Sequence, residues 1–558
     1  MTPVVIPLAP LSHPELHRSP TSPFIHDARC TALAYHPDRA YVTRVLRGIK
    51  HGRHLGYTGP RDIHRKCMNP PDFALHRTAL MKIIEQQESK LWRSGPFIDP
   101  PLFNLLCSPI KGASKRFTDK IRLVNNMSAP YDGSSINDNI PTGTTKNLPL
   151  RRVCELLSRL GTGTLMWVFD VVSAYKTVNT HIDDWHLHGE LVDGLYHFST
   201  VPNFGCRSAG DIFDEYGAAF EFVLRAHSPL DAVTRYVDDF VGFTRPLPHG
   251  VPNMDAACRA RDATLVLART MGVPLDKFIG PTCTATILGF ELCSRTMSLR
   301  VTPQRRDLML LMLATWSART HATGDELRSL VGLLSYICEV FRWGKAFLGR
   351  CIALANARVP VTVPLTLPLD FHSEIAWWHD TLTEWSCISL FYNADWSDQS
   401  LLSFEVDASM LGQGCWFQPN WYSAAWSPEQ LKIAQRESRV SMPFLELYAI
   451  ATACATFAHH WGRLKIICRS DCEPACAALN KRYSPDVGMQ SLIRSIGQLA
   501  CKHNFDIRVV HIPGLLNIRA DPLSRLDLPR FHVQAPLAAS MPTVPLLPPT
   551  HPYVMRLL

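Results

Sequence analysis

Apolar residues run almost unbroken through LMWVFDV (165–171), RYVDDFVGF (235–243) and ATILGFELC (285–293), short stretches with turn-prone neighbours. That pattern predicts buried strands, and with the helical patterns between them it makes residues 100–292 a mixed α/β region. From about 302 to 360 the apolar positions move to helix spacing. Thr302-Pro303 reads as a cap with a first-turn proline, and Thr323-Gly-Asp-Glu326 as a capping box ahead of Leu327, Leu330, Val331, Leu334 and Ile337. FHSEIAWWHDTLTEW (371–385) predicts a further amphipathic helix, with Trp377 and Trp378 as core or interface anchors.

From about 400 to 527 the pattern returns to α/β. LLSFEVD, GCWF and WYSAAW predict three strands separated by the turn-prone GQG and QPN. MPFLELYAIATACATFAHHW follows as a helix, LKIICRSD as a strand, CEPACAALNKR and VGMQSLIRSIGQLACKH as helices, and DIRVVHI as a strand. Such an order suits one sheet with helices on its faces. Residues 1–42, rich in Pro, Ser and His, predict a low-order leader, and residues 528–558, with MPTVPLLPPTHP, a Pro-rich tail of the same kind.

Composition narrows this picture little. A chain of 558 residues exceeds one hydrophobic core, and 46% hydrophobic with 19% charged residues is globular. Lys and Arg outnumber Asp and Glu by 57 to 49, but between Arg39 and Lys66 eight basic residues face a single acid, Asp62. That cluster is either a solvated face or a polyanion contact. The 17 cysteines are scattered through apolar segments, which predicts reduced, mostly buried thiols in an intracellular protein of the cytoplasm or nucleus. Cys468, Cys472 and Cys476 lack a second ligand pair at zinc-site spacing. The apolar run LMLLMLATW (308–316) is about half a membrane span, so no membrane partner is expected.

The chemistry lies in the carboxylates. Asp238 and Asp239 interrupt an apolar run where a two-residue hairpin would bend, and Asp170 closes the strand LMWVFDV. Alone, Asp170 would read as a helix N-cap. If the hairpin lies beside its strand, acids crowded into a low-dielectric place either take up a proton or hold a cation, and Mg²⁺ suits oxygen ligands shared with substrate phosphates.

At this point the chain resembles a reverse transcriptase. Asp170 matches the first palm aspartate, Tyr236-Val237-Asp238-Asp239 the YxDD hairpin, and Phe204-Gly205 in VPNFGCRSAGDIF the template-positioning turn. The resemblance implies that Asp170 and Asp238 are principal metal ligands, Asp239 a secondary one, and Tyr175 a steric gate against a ribose 2′-OH. Arg122 would hold the incoming triphosphate, with Lys111, Lys115 or Lys120 as its partner. Lys277 is either the general acid toward pyrophosphate or a surface lysine. Within that family the likeness is closer to DIRS-type retrotransposons, on GIKHGRHLGYTGPR (48–61), SGPFIDPP (94–101), NNMSAPYDGSSIND (125–138), FGCRSAGDIFDEY (204–216), LRSLVGLLSYICEVFRWGKAFLGR (327–350) and AWWHDTLTEW (376–385). Ala209-Gly210 departs from the usual serine with proline or cysteine.

The C-terminal acids Asp407, Glu446, Asp471 and Asp521, with His511 ten residues before Asp521 in HIPGLLNIRADPLSR, resemble an RNase H domain. Cys472 departs from the usual asparagine or serine. The likeness covers roughly 43–527 and implies an α/β (α+β) multidomain chain: an N-terminal basic extension at 43–110, fingers and palm of a right-hand polymerase at 111–295, a thumb-like helical region at 296–365, where Arg342, Lys345 and Arg350 could touch phosphates, a connection at 366–399 and an RNase H-like domain at 400–527. It implies an RNA-directed DNA polymerase (a nucleotidyltransferase) with ribonuclease H, an endonuclease, using two Mg²⁺ per active site, or Mn²⁺. The implied partners are RNA template, DNA primer, RNA–DNA hybrid and deoxynucleoside triphosphates, with a capsid protein or recombinase encoded elsewhere. The rival expectations are a co-opted or degenerate copy that binds nucleic acid without catalysis, and a DNA-templated or pararetroviral polymerase.

Overall fold

The computed structural model describes residues 21–114, 121–143, 150–357, 363–384, 388–390, 396, 403–436 and 439–549. The mixed helix-and-sheet, multidomain class read from the sequence is the class observed. The chain divides into two compact units, one of Met1–Pro149 with Thr164–Ala285, the other of Leu150–Gly163 with Thr286–Leu558.

The first unit is organised around a four-stranded antiparallel sheet. Its spatial order is Ala232–Tyr236, Asp239–Thr244, Leu165–Val171, Leu275–Thr282. Leu165–Val171 is a central strand with helices and loops on it, so its sequence is nearly continuous in apolar residues. Trp167, Phe169, Phe240 and Phe243 are buried, and Phe169 stacks on Phe240 at 5.2 Å and on Phe278 at 5.3 Å.

Two expectations change here. ATILGFELC is not one strand but two, Thr284–Ile287 and Phe290–Cys293, because Leu288 and Gly289 both take positive φ (51° and 80°) and turn the chain. Residues 21–42, expected as leader, are built in: His26–Ala32 and Arg39–His51 are helices, and Phe24, Arg29 and Leu33 are buried. The basic run that follows is mostly exposed, and three of its members are ion-paired within the unit. Arg44 and Arg53 pair with Glu215, and Arg61 pairs with the buried Asp184.

Three histidines in this unit are buried in neutral form. Burial pushes the pKa of His188 down to about 3 and those of His186 and His197 to about 4, with Lys176, Arg61 and Arg93 respectively adding repulsion. Below pH 6.5 the unfolded chain therefore binds protons that the folded chain refuses. Each imidazole costs about 1.36 kcal/mol per pH unit down to its folded pKa. His188→Gln should move the acid-unfolding midpoint of this unit to lower pH, read by circular dichroism; an unmoved midpoint would remove His188 from the cause.

The second unit holds the helical region. Pro303–Ser317 follows Thr302 with proline in its first turn, and Gly324–Ile337 starts with the Thr323–Glu326 capping box formed in both directions. Trp377 and Trp378, on the helix Leu369–Glu384, are core: Phe347 stacks on Trp377 at 3.3 Å, and Trp378 Nε1 donates to the Phe347 carbonyl. Arg350 pairs with Asp370 and Arg342 with Asp506, so both are engaged within the unit.

Beyond them lies a five-stranded sheet in the order Asn420–Ala425, Gly412–Phe417, Ser403–Ala408, Lys465–Ser470, Asp506–His511. The first three strands are antiparallel and the last two run parallel to the central one. GQG is not the expected turn; it opens the strand Gly412–Phe417, where a Cβ on Gly414 would strike Leu523 of the helix Ala520–Ser524. Glycine there lets helix and sheet approach closely. The tail expectation also changes. Residues 528–549 hold a helix, Leu528–Gln534, whose Phe531 is buried against Trp416 and Trp421. Ala539 N donates to Pro419 O and Thr543 N to Trp421 O, which covers the edge strand that would otherwise present unpaired backbone groups.

Candidate active sites

In the first unit the acids arrive by strand register. Asp170, one residue before the end of the central strand, lies opposite Asp239; Tyr236 pairs with Asp239, so the turn is Val237-Asp238 rather than the expected acid pair, and Asp239 already belongs to the returning strand. Val171 N donates to Asp238 O at 3.1 Å, fixing the hairpin tip beside the end of the Asp170 strand. Val237 sits at φ 55°, a region that a β-branched side chain tolerates poorly, so the tip is held in a strained form.

A cleft of about 800 Å³ opens over this tip. Asp170, Asp238, Asp239, Arg122, Tyr175 and Phe204 all line it. Burial first, and then Asp170, raise the pKa of Asp238, with Lys277 and Arg122 opposing. Asp170 Oδ1 is buried and finds no donor among the described residues, while Oδ2 accepts from Lys277 Nζ at 2.5 Å. Lys277 is a surface lysine, its side chain 67% exposed, that is paired with one of the acids. Its ammonium supplies positive charge beside them, and the hydrogen bond to Asp170 raises its own pKa. The buried Asp170 oxygen without a donor is the kind of hard oxygen ligand that a dication such as Mg²⁺ takes.

The remaining predicted residues frame the cleft. Tyr175 stacks on Phe204 at 6.2 Å and meets Phe213 edge-on, and burial, then Asp238, raises its phenol pKa. Arg122 lies 5.5 Å over the Phe204 ring. Gly205 has φ 123°, and a Cβ there would strike the Asn125 carbonyl; Phe204 O accepts from Asn125 N at 2.9 Å. The Phe204-Gly205 turn is therefore locked against the strand Ile121–Asn125 that carries Arg122. Of the three candidate lysine partners of Arg122, Lys111 is on the neighbouring strand Ile110–Ser114, and Lys115 and Lys120 lie outside the described residues.

Lys176 was missed by sequence reading. It lines the same cleft beside Tyr175, donates to Asn203 Oδ1 at 3.4 Å, and burial, reinforced by Arg93, lowers its pKa to about 7. A lysine directly after Tyr175 was the available signal.

In the second unit Asp407, Glu446 and Asp471 converge, each offering an oxygen within 4.8 Å of the others. Asp407 comes from the central strand, Glu446 from the helix Met442–Phe457 and Asp471 from the end of Lys465–Ser470. Burial raises the Asp407 pKa to about 7, with Asp471 and Asp521 adding to it and the Ser524 hydroxyl opposing. Burial, Asp407 and Asp471 hold Glu446 well above the carboxylate range. Three carboxylates that cannot all ionise without a counter-charge again fit a hard dication.

Two further predicted residues stand at the border of this cluster. His511 Nε2 is 3.1 Å from the Asp471 carbonyl oxygen. Asp521 raises the Asp407 pKa, yet its carboxylate is held by Arg525 at 2.7 Å and Arg530 at 3.0 Å and is not among the three that converge. Sequence reading missed Asn517 and Ser524, whose side chains donate to the two Asp407 oxygens at 3.0 and 2.5 Å. Both flank Asp521 in NIRADPLS, which was the only signal.

No family model and no curated protein sequence matches the chain. Solved structures do. A foamy viral protease-reverse transcriptase in complex with RNA/DNA hybrid is 11% identical at a TM-score of 0.47, covering 88% of this chain and 63% of its own. The dRH form of the foamy viral protein with ds DNA is 10% identical at 0.47 (87% and 81%), and a complex with dsDNA is 12% identical at 0.46 (88% and 97%). The chain thus spans under two thirds of the first of these. Among the described residues no helix is long and apolar enough to cross a membrane.

Proposed function

We propose that this chain is an RNA-directed DNA polymerase with ribonuclease H activity, encoded by a DIRS-type or related retroelement. The observation that carries the reading is the pairing of two carboxylate centres in one chain, Asp170 with Asp238 and Asp239 at a hairpin tip, and Asp407 with Glu446 and Asp471 over a second sheet. In this reading residues 111–295 act as fingers and palm, 296–365 as thumb, 366–399 as connection and 400–527 as the hydrolytic domain.

Asp170 and Asp238 hold Mg²⁺, with Asp239 secondary, and Asp407, Glu446, Asp471 and Asp521 do the same in the second centre; Mn²⁺ can replace it. Two bound dications would supply charge for phosphoryl transfer, to a primer 3′-hydroxyl in one centre and to water in the other. The chain's own residues bind and orient. Arg122, on a strand fixed to the Phe204-Gly205 turn, holds the triphosphate of an incoming deoxynucleotide by its planar fork, and the turn supports the template. Lys277 would leave Asp170 as substrate and ions arrive, and its ammonium can then donate a proton toward pyrophosphate. His511, beside Asp471, handles protons at the second centre.

RNA template, DNA primer and the RNA–DNA hybrid are the nucleic-acid partners, gripped through backbone and shape, so binding should be salt-sensitive. An intracellular site of action and a separately encoded capsid protein or recombinase complete the proposal. It is tested by primer extension on poly(rA)/oligo(dT) with Mg²⁺: templated dT addition supports it, and well-folded protein that binds without extending supports a non-catalytic binder.

Tyr175 gives a sharper test of the cleft. Its ring is braced by Phe204 and Phe213, so it fills a fixed volume beside the acids. Tyr175→Ala should lower discrimination against ribonucleotides on the order of 10–100-fold in kcat/KM, the range that one lost steric contact controls. Unchanged discrimination would move the gate elsewhere.

A further inference from the structure

We propose that His54, His181 and Asp183, in the first unit, form a binding site for a transition-metal dication, with Zn²⁺ the best fit. The three side chains offer a ring nitrogen each from the histidines and a carboxylate oxygen, all within 4.8 Å of one another. Zn²⁺ takes bonds of about 2 Å with nitrogen and oxygen, so its binding would draw these three ligand atoms together. Two imidazoles and one carboxylate select a borderline-soft ion over Mg²⁺, which sets this site apart from the all-carboxylate centres.

The arrangement is built by the backbone before any ion arrives. Arg53 N donates to Asn179 O and His181 N to Arg53 O, both at 2.8 Å, so the chain next to His54 runs alongside the chain leading into His181. Gly52 makes this approach feasible: its φ is 80°, and a Cβ would lie 2.8 Å from the backbone of Thr180 and His181. The histidine rings consequently face each other at 3.9 Å between centroids. Two imidazoles tilted by 32° to each other gain little from the contact in water, and protonating both would be repulsive.

An outer carboxylate is present as well. Asp184 is fully buried, accepts from Leu55 N at 2.7 Å, pairs with Arg61, and lies 3.3 Å from His54 Nδ1. Metal-bound histidines are generally held by such a partner, which fixes tautomer and ring orientation. An entry path exists, since His54 and His181 both line a cleft of about 420 Å³.

The test uses the full-length chain in excess Mg²⁺, so that the carboxylate centres are occupied. Equilibrium dialysis against Zn²⁺ should show one fewer ion per chain for His54→Gln/His181→Gln than for the wild type, and Co²⁺ should give a visible d–d band that the double variant lacks. Asp184→Asn should weaken binding about 10–100-fold without removing it. Equal Zn²⁺ stoichiometry in wild type and double variant overturns the proposal. Should the double variant fail to fold, mapping of diethyl pyrocarbonate modification on the wild type decides: Zn²⁺ is expected to shield His54 and His181, and equal modification with and without Zn²⁺ overturns the site.

Discussion

Asp238→Asn should reduce primer extension on the order of 10³-fold or more while leaving cleavage of a preformed RNA–DNA hybrid intact, and Asp471→Asn should do the reverse. The size follows from charge. Asp238 sits at the turn of a strained hairpin in the cleft that Asp170 lines, so the amide removes one of the two principal ligand charges and leaves only Asp170 and the secondary Asp239. Losing several kcal/mol of electrostatic stabilisation, roughly 4, corresponds to that factor. The independence follows from the fold: Asp238 belongs to the first compact unit and Asp471 to the second. Gel assays on one labelled substrate read both activities. Loss of both from either single substitution would contradict two separate centres.

Glu446→Gln should abolish hybrid cleavage and at the same time stabilise the metal-free second unit. Glu446 is buried among Asp407 and Asp471, and its folded pKa lies well above its unfolded one. A carboxyl with a raised folded pKa binds its proton more tightly in the folded state, so its stabilisation is complete at low pH. That stabilisation is lost as pH rises past the ordinary carboxylate range toward the folded pKa. At pH 8 without metal, the wild type therefore carries repulsion that glutamine lacks. Its amide can still accept from Ala408 N and meet Ser470 Oγ, the two partners Glu446 has now. Urea unfolding at pH 8 in EDTA should show the variant more stable by roughly 2 kcal/mol. Adding Mg²⁺ should raise wild-type stability and leave the variant nearly unchanged. A variant less stable than the wild type in EDTA would mean the carboxylate is held by contacts other than a cation.

These expectations rest on parts of the sequence that differ in how much they reveal. The hairpin was legible because two acids broke an apolar run, an event that strand burial alone does not produce. Thr323–Glu326 was legible because a capping box is local. The Asp407–Glu446–Asp471 cluster could be anticipated from the order of acids on successive strands and helices.

What was not legible depends on distance along the chain or on backbone conformation. Asn517 and Ser524 meet Asp407 across 110 and 117 residues, and nothing in either short side chain announces the contact. Leu288-Gly289 was hidden inside an apolar run because a two-residue turn needs only φ > 0 and no polar marker. Gly412-Gln413-Gly414 looked like a turn because glycine signals both turns and close packing, and here helix contact decided. The leader and tail misled through composition. Phe24, Leu33 and Phe531 are few among prolines and serines, yet each is buried, and a handful of anchors suffices to tie such segments down.

The central claim is that both acid clusters are cation sites beside a nucleic-acid strand. The most direct measurement is anomalous scattering from crystals of the full-length chain grown with Mn²⁺, a chain-terminated primer–template and the next deoxynucleotide. Manganese peaks are expected bonded to Asp170 and Asp238, and others bonded to Asp407, Glu446 and Asp471. Nucleic acid bound in well-ordered density, with no manganese at either cluster, would contradict it.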